Sequence, residues 1–277
     1  MDNALTIDVE DYYMVSSFAD KISYDDWGSF ESRVERNTQT ILNLLDEYKV
    51  KATFFVLGWV CNKYPKLVKE IHQAGHEVAS HGYSHRLIYN LTRNEFREDI
   101  RRAKESLEDT IGAEIYGFRA ASYSIIRETL WALDILMEEG YIYDSSIFPV
   151  HHDRYGMPDS DRFPHTISRN GAKIQEFPLS TYRIFGLNIP VAGGGYMRLL
   201  PLYFMKKAIN SINKAEKKPF ILYLHPWEID PNQPRIKGTW ISNIRHYQNI
   251  KSAYPKLEAL LKGYKFKPLA EFISDDI

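Results

Sequence analysis

Short apolar runs alternate with segments of helical periodicity along most of the chain. The apolar runs predict buried strands, and they lie at residues 5–9, 52–57, 76–80, 117–119, 141–143 and 220–224. Apolar residues spaced three or four positions apart predict helices at residues 38–48, 65–74, 92–112, 127–140 and 202–215. Thr92 followed by Glu95 indicates a capping box at the start of one of these helices.

This alternation, with short connections, predicts parallel strands covered by helices. Over 277 residues it fits an α/β fold of the distorted (β/α) barrel type better than an open sheet. Between residues 153 and 195 the pattern loosens into Pro-, Gly- and polar-rich sequence, and no element is predicted there. No repeat, linker or low-complexity segment interrupts the chain. We therefore expect a single domain over residues 1–277.

Candidate metal ligands lie directly after two of the predicted strands. His81 and His85 are four residues apart at a strand-to-loop transition, and the carboxylates of Glu10 and Asp11 follow the first strand. Two histidines and one carboxylate leave coordination positions open for water and substrate, which is typical of catalytic metal sites. His72 and His76 have the same spacing, but we interpret that pair as structural or exposed, so spacing alone is weak evidence.

Four further residues are candidates for catalysis because they also follow predicted strands. They are Asp8, Arg119, Asp144 and His225. Each has an ordinary alternative: a solvated loop acid, a surface ion pair, a turn residue and a core histidine, respectively. Their shared position at strand ends is the stronger observation, because the carboxyl ends of parallel strands meet at one edge of a barrel.

Composition narrows the classes of partner. The net charge of −1 favours neither nucleic acid nor an anionic membrane surface as a partner. The sequence shows no signal peptide and no membrane span, so we expect a cytoplasmic protein. A single cysteine, Cys61, excludes an internal disulfide. The aromatic content of 14% is compatible with a sugar-binding cleft but also with ordinary core packing.

The candidate segments, in their order along the chain, resemble the motifs of the polysaccharide deacetylase family (NodB homology, carbohydrate esterase family 4). Residues 6–11 read Thr-Ile-Asp-Val-Glu-Asp in place of Thr-Phe-Asp-Asp-Gly, and residues 81–85 read His-Gly-Tyr-Ser-His. Residues 119–123 correspond to Arg-x-Pro-x-Gly without its Pro and Gly, and residues 144–146 and 223–225 correspond to the last two motifs. Segments 193–201, 225–231 and 244–247 are similar to the subgroup associated with exopolysaccharide and exosortase systems, which implies a family-specific C-terminal part from about residue 190 to 277.

The resemblance implies a role for each matching residue. Asp8 would be the general base, oriented by Arg119, and His225 would be the general acid, tuned by Asp144. His81 and His85 would hold a divalent metal together with either Glu10 or Asp11, and this choice stays open. Zinc is the expected ion, with cobalt, nickel, manganese and iron as alternatives. A backbone N–H near Ser122 or Tyr123 would help to stabilise an oxyanion.

The implied reaction is metal-dependent removal of N-acetyl groups from amino sugars in a polysaccharide or its precursor. The expected partner is therefore an acetylated glycan or amino sugar, and the sequence leaves a homo-oligomer open. Two alternatives are an amidase of the same fold acting on a cyclic imide or ureide, and a glycan-binding protein without activity.

Overall fold

The computed structural model describes residues 1–152 and 154–274, which form strands surrounded by helices. The strands are β1 (Asp2–Val9), β2 (Thr53–Val56), β3 (Glu77–Ser80), β4 (Gly117–Phe118), β5 (Tyr143–Asp144), β6 (His165–Arg169), β7 (Ala172–Glu176), β8 (Thr181–Ile184), β9 (Leu187–Pro190), β10 (Ile221–Leu224) and β11 (Lys265–Lys267). The α-helices are α1 (Val34–Glu47), α2 (Gly58–Lys63), α3 (Pro65–Gln73), α4 (Arg93–Ile111), α5 (Trp131–Glu138), α6 (Gly194–Leu199), α7 (Leu202–Asn210), α8 (Trp240–Tyr247) and α9 (Ala253–Gly263).

The main sheet has the order β10-β1-β2-β3-β4-β5-β7-β6, and β11 pairs with the start of β1. Its pairings are parallel except for the antiparallel pair β6–β7. Between β7 and β10, extended segments continue the hydrogen bonding, because Phe177 N–H donates to Asp144 O at 2.8 Å and Tyr223 N–H to Ala192 O at 2.8 Å. The sheet therefore curves into a distorted barrel, and the expected fold is confirmed.

Side chains of β1 alternate between two apolar layers. Leu5, Ile7 and Val9 are fully buried in the layer that packs against the helices. Ala4 lies in a second, inner cluster with residues of other strands, such as Phe55 of β2. Because successive side chains of a strand point to opposite faces, Thr6 and Asp8 share the inner face with Ala4. The first strand thus directs an acid into the barrel at its carboxyl end.

Helix α4 shows how the local sequence fixes an element. Thr92 Oγ1 accepts a hydrogen bond from Glu95 N–H at 3.2 Å, and the Glu95 carboxylate accepts from Thr92 N–H at 2.8 Å, so the predicted capping box is confirmed. The helix ends at Gly112, which adopts the left-handed conformation with φ 69°. Its buried face, which includes Ile100 and Leu107, covers the barrel.

The loosely patterned stretch contains strands β6 to β9, which we did not predict from sequence. Asp153, where that stretch begins, lies outside the described residues. Side chains of β6 are at least partly exposed, and β8 and β9 pair with each other as a surface hairpin. These strands therefore lack the apolar runs that mark buried strands. Across residues 1–152 and 154–274, no helix is long and apolar enough to cross a membrane.

Candidate active site

Three of the predicted metal-binding residues meet at the carboxyl end of the barrel. One ligand atom from each of Glu10, His81 and His85 lies within 4.8 Å of the other two. Glu10 follows β1, the two histidines follow β3, and Glu10 Oε2 lies 2.9 Å from His85 Nε2. The side chains of Glu10 and His85 are only 2% and 4% exposed. The cluster therefore lies at the bottom of the site rather than at its rim.

The loop that carries the histidines is held by α4. Asp99 accepts hydrogen bonds from Tyr83 N–H at 2.8 Å and from the Ser84 hydroxyl at 2.5 Å. Gly82 and His85 have φ values of 73° and 53°, so the chain turns sharply between the two imidazoles. Gly permits this conformation without the strain that a Cβ would add. This turn brings two histidines four residues apart to the same side of the loop.

The chemistry of these residues fits a divalent metal ion. His81 Nδ1 lies 2.8 Å from Arg119 O, a contact that fixes the ring and leaves Nε2 as the ligand atom. Burial lowers the pKa of His81 to about 4, so its imidazole is in the neutral, metal-binding form near neutral pH. Glu10 Oε2 and His85 Nδ1 are among the buried atoms without a hydrogen-bond partner in the described part of the chain, since the 2.9 Å contact between Glu10 Oε2 and His85 Nε2 lacks hydrogen-bond geometry. A cation would satisfy the carboxylate oxygen.

Asp11, the alternative carboxylate, does not join this cluster. Its Oδ2 accepts hydrogen bonds from the Ser32 hydroxyl at 2.8 Å, Arg33 N–H at 2.7 Å and Val34 N–H at 3.1 Å. Asp11 therefore satisfies backbone N–H groups at the start of α1, which otherwise lack partners within the helix. The alternative that Asp11 is a metal ligand is therefore corrected, because its contacts give it a structural role. The geometry favours Glu10 as the third ligand.

Asp8 and Arg119 form a buried ion pair beside the cluster. Arg119 is 0% exposed, and its Nη1 lies 2.7 Å from Asp8 Oδ1. The contact uses one nitrogen of the guanidinium group, because Nε and Nη2 donate to the backbone and side-chain oxygens of Ser145. Asp8 Oδ2 is consequently directed away from Arg119 and lies 3.9 Å from His225 Nε2.

His225 contacts Glu228, and the structure gives Asp144 other partners. His225 Nδ1 lies 3.1 Å from Glu228 Oε2, and Nε2 lies 3.4 Å from Glu10 Oε1. Burial opposes the charged imidazole, but the carboxylates of Glu10 and Glu228 outweigh it and raise the pKa of His225 to about 9. The expectation that Asp144 tunes His225 is therefore corrected, since the carboxylate nearest Nδ1 belongs to Glu228.

Asp144 belongs to a buried carboxyl pair behind the site. It accepts hydrogen bonds from Ser146 N–H at 3.2 Å and from the Ser146 hydroxyl at 2.5 Å, and it pairs in register with Glu176 of β7. Burial raises the pKa of Asp144 to about 6 and that of Glu176 well above its usual value. Asp144 thus shapes the turn that presents Ser145 to Arg119.

The residues of the cluster open into a cavity of about 420 Å³. Tyrosine side chains form much of its wall, and they are Tyr123, Tyr155, Tyr196 and Tyr223. Tyr123 N–H donates to Ala120 O at 3.1 Å, so this group is already engaged. Of the two backbone N–H groups that we expected near an oxyanion, the Ser122 N–H is therefore the candidate. A cavity of this size falls in the range of small-ligand sites, roughly 300–1,000 Å³.

Two features of the sequence, the triple glycine and His76, make packing contacts instead of contacts to a ligand site. Gly193, in the triple glycine, lies against the backbone of Tyr223, where a Cβ would come within 1.8 Å of Tyr223 O. The close approach is therefore between two backbone segments. His76 is 5% exposed and its Nδ1 accepts a hydrogen bond from Ala52 N–H at 3.2 Å, so His76 has a structural role.

Two family profiles match consecutive parts of the chain. Residues 21–136 match "Polysaccharide deacetylase", and residues 145–274 match "Domain of unknown function (DUF3473)". The segment at residues 21–136, which contains His81, His85 and Arg119, is thus that of a polysaccharide deacetylase. The second profile covers most of the segment in which we placed a family-specific C-terminal part.

Curated relatives match shorter segments of this chain. It is 39% identical over 75 residues to a peptidoglycan-N-acetylglucosamine deacetylase of Bacillus cereus, covering 27% of each chain. It is 29% identical over 113 residues to a peptidoglycan deacetylase of Helicobacter pylori, covering 41% of this chain and 37% of the relative. The aligned segments span between about a quarter and a third of the first curated relatives.

Solved structures share the fold. A structure from Mycobacterium smegmatis assigned to the polysaccharide deacetylases gives a TM-score of 0.60 at 21% identity, covering 98% of this chain and 88% of that one. An allantoinase gives a TM-score of 0.60 at 16% identity, covering 96% and 86%. At these identities the likeness shows the barrel alone and does not distinguish a sugar substrate from another amide.

The region of the second profile completes the candidate site. It supplies His225 and Glu228, and also Trp227, whose Nε1–H donates to Glu10 Oε1 at 3.3 Å. It also supplies Arg198, which is 2% exposed and donates from Nε to Glu228 Oε1 at 2.8 Å. Although burial disfavours its charge, Arg198 and His225 lower the pKa of Glu228 to about 2.

Sequence reasoning missed Glu228, Trp227 and Arg198. The spacing of three residues between His225 and Glu228 was an available signal, because a turn directly after a strand can bring such a pair together. The Glu228 carboxylate indeed accepts from His225 N–H at 3.1 Å as well as facing its ring. No comparable signal links Arg198 to Glu228, since their contact depends on how α6 packs.

Proposed function

We propose that this protein is a metal-dependent N-deacetylase that acts on amino sugars of a glycan or its precursor. The observation that carries the proposal is the arrangement of Asp8 and His225 beside the cluster of Glu10, His81 and His85. A carboxylate with one oxygen held by Arg119 and a histidine held by Glu228 both face the same small volume. Amide hydrolysis needs a base and an acid placed in this way.

Glu10, His81 and His85 would hold the metal, with zinc as the expected ion. Such an ion, when bound, polarises the acetyl carbonyl and lowers the pKa of water in its coordination sphere. Cobalt, nickel, manganese and iron also accept two imidazoles and a carboxylate.

The remaining steps fall to the chain's own residues. Asp8 Oδ2 accepts the proton of the attacking water, while Arg119 keeps Oδ1 in place. The Ser122 N–H donates to the oxygen that becomes negative, a type of contact worth about 3–4 kcal/mol when well placed. His225 donates a proton to the departing amine from Nε2, and Glu228 holds Nδ1.

Relatives support an acetylated amino sugar as the substrate, since those named above act on peptidoglycan and another, at 28% identity over 94 residues, is a chitin deacetylase of Cryptococcus neoformans. An exopolysaccharide substrate rests on the resemblance of the C-terminal segments. The acetylated amino sugar and the exopolysaccharide are both parts of the proposed function.

The test is acetate release from a panel of acetylated glycans, with the protein loaded with each candidate metal. We expect release from at least one amino-sugar substrate, and a loss of about 100-fold or more in the Asp8→Asn variant. The variant should keep its metal, because Asp8 is not among the three clustered residues. Hydrolysis of a cyclic imide or ureide without acetate release from any glycan would refute the proposal.

A further inference from the structure

The two carboxylate oxygens of Glu10 have different neighbours. Oε2 lies 2.9 Å from His85 Nε2, inside the metal-binding cluster, and has no hydrogen-bond partner in the described part of the chain. Oε1 accepts a hydrogen bond from Trp227 Nε1–H at 3.3 Å. Glu10 and Trp227 are both buried, so water has little access to this contact. One oxygen is therefore engaged by the protein and the other is free for an ion.

Stacked rings and a backbone hydrogen bond hold the Trp227 indole in this orientation. Its ring centroid lies 4.1 Å from that of His246, with 12° between the planes, and 5.2 Å from that of His225, with 22° between the planes. Gln233 Nε2 donates to Trp227 O at 2.9 Å, and Gln233 Oε1 lies 2.8 Å from His246 Nε2. A rotation of the indole away from Glu10 would therefore also disrupt the stacking.

A carboxylate can bind an ion through one oxygen or through both. A hydrogen bond to one oxygen fixes the rotation of the group and favours binding through the other oxygen. We propose, resting on the proposed metal-dependent function, that Trp227 is a positioning residue that directs Glu10 to bind the metal through Oε2 alone. Coordination positions then stay open for water and substrate.

This inference gives the second profile a part in metal binding. His81 and His85 lie within the first profile, whereas Trp227 lies within the second. The same indole stacks on His225, so one side chain orients both the metal carboxylate and the proposed acid.

Calorimetric zinc titration of Trp227→Phe tests the inference, because Phe keeps an aromatic ring but has no N–H. We expect zinc affinity to fall by about 10–100-fold, as for other groups that orient metal ligands. Trp27→Phe is the matched control, since Trp27 is equally buried, packs against Trp59 and lies outside the cavity lining. It should bind zinc as the wild-type protein does. Wild-type affinity in Trp227→Phe overturns the inference and leaves the proposed function standing.

Cobalt(II) in place of zinc adds a readout that a merely structural role of Trp227 would not change. The visible absorption of cobalt depends on the number and arrangement of its ligands, so it reports whether Oε1 has joined Oε2. We expect the spectrum of Trp227→Phe to differ from those of the wild-type protein and Trp27→Phe, which should coincide. Three coincident spectra contradict the positioning role, even if the zinc affinity has fallen.

Urea unfolding of the metal-free proteins establishes that the variants are folded. If Trp227→Phe does not fold, Trp227→Met takes its place with the same expected results, because Met fills the space flexibly and also lacks the N–H. Absence of zinc binding by the wild-type protein refutes the proposed metal-dependent function, and this inference with it.

Discussion

At the scale of single residues, the site consists of buried charged side chains, each of which contacts an oppositely charged partner. Arg119 holds Asp8, and Arg198 holds Glu228, which holds His225. A buried charge that loses its partner is strongly destabilising, so each member of such a chain constrains the next. The proposed base and acid are therefore fixed by two separate ion pairs.

The first prediction compares the two acids that could orient His225. Glu228→Gln removes the carboxylate beside Nδ1, and we expect kcat to fall by about 10–100-fold with little change in KM, as for other carboxylates that orient a functional histidine. Asp144→Asn, a matched change, should have the smaller effect on kcat, because Asp144 contacts Ser146. Steady-state kinetics of the two variants show which carboxylate orients His225. A larger kcat loss in Asp144→Asn would restore the assignment implied by the resemblance.

The second prediction concerns His76 and acid stability. Burial lowers its pKa in the folded state from the ordinary 6.5 to about 4, so the unfolded chain binds the extra proton first as the pH falls. Stability from His76 is therefore present above the unfolded pKa and is lost between about pH 6.5 and about pH 4, by up to about 3 kcal/mol.

Urea unfolding across this pH range measures the effect. His76→Asn is the comparison, because an amide oxygen can still accept from Ala52 N–H but does not titrate in this range. The wild-type protein should lose more stability than the variant on acidification. Parallel pH profiles for the two proteins would show that His76 plays no such part.

The residues proposed as base and acid were predictable from sequence because each follows a strand and because the motifs keep their order. Their partners were not. Asp11 and Glu10 are adjacent in sequence, and only the path of the chain into α1 assigns one to the helix start and the other to the cluster. Similarly, Arg198 reaches Glu228 through helix packing, which residue spacing does not encode.

At the scale of elements, Asp11 connects the loop after β1 to α1. Asp11→Ala should lower the free energy of unfolding by about 2 kcal/mol, as for the loss of a strong helix cap, because Arg33 and Val34 N–H lose their acceptor. Glu10→Ala should instead weaken zinc binding. Urea unfolding of the metal-free proteins and calorimetric zinc titration separate the two effects. If Asp11→Ala weakened zinc binding and Glu10→Ala did not, the metal ligand would be Asp11 instead of Glu10.

A second element-scale prediction concerns the start of α6. Gly193 has φ 140° and no room for a Cβ against Tyr223 O, so Gly193→Ala should destabilise the fold by about 3 kcal/mol or more. Gly195→Ala is the control, since its nearest atom would be Arg198 Nη2 at 3.7 Å. Thermal unfolding compares them. Equal midpoints for the two variants would contradict the packing account.

The buried strands and most helices were predictable because their apolar faces repeat with a clear period. The strands of the 165–190 region were not, since β6, β8 and β9 have few fully buried residues. Helix boundaries also shifted where turns intervene: the predicted helix from residue 127 begins as a short 3-10 turn at Arg127–Thr129 before α5.

At the scale of the whole molecule, metal binding should be linked to folding. Zinc at about 100 times its dissociation constant adds about 2.7 kcal/mol of stability if it binds only the folded protein. For a chain of this size that corresponds to an increase of roughly 5 °C in the thermal midpoint. The same addition to His81→Ala should shift the midpoint far less. Equal shifts in both proteins would place the stabilising ion elsewhere.

The pairing of β1 with β10 joins residues that are far apart in sequence, with Ala4 opposite Ile221. Contacts of such separation close a long loop, which makes their formation slow relative to local contacts. Asp8 and His225 extend from these two strands. We therefore expect the proposed base and acid to come together later in folding than the Glu10–His81–His85 cluster, whose members are closer in sequence.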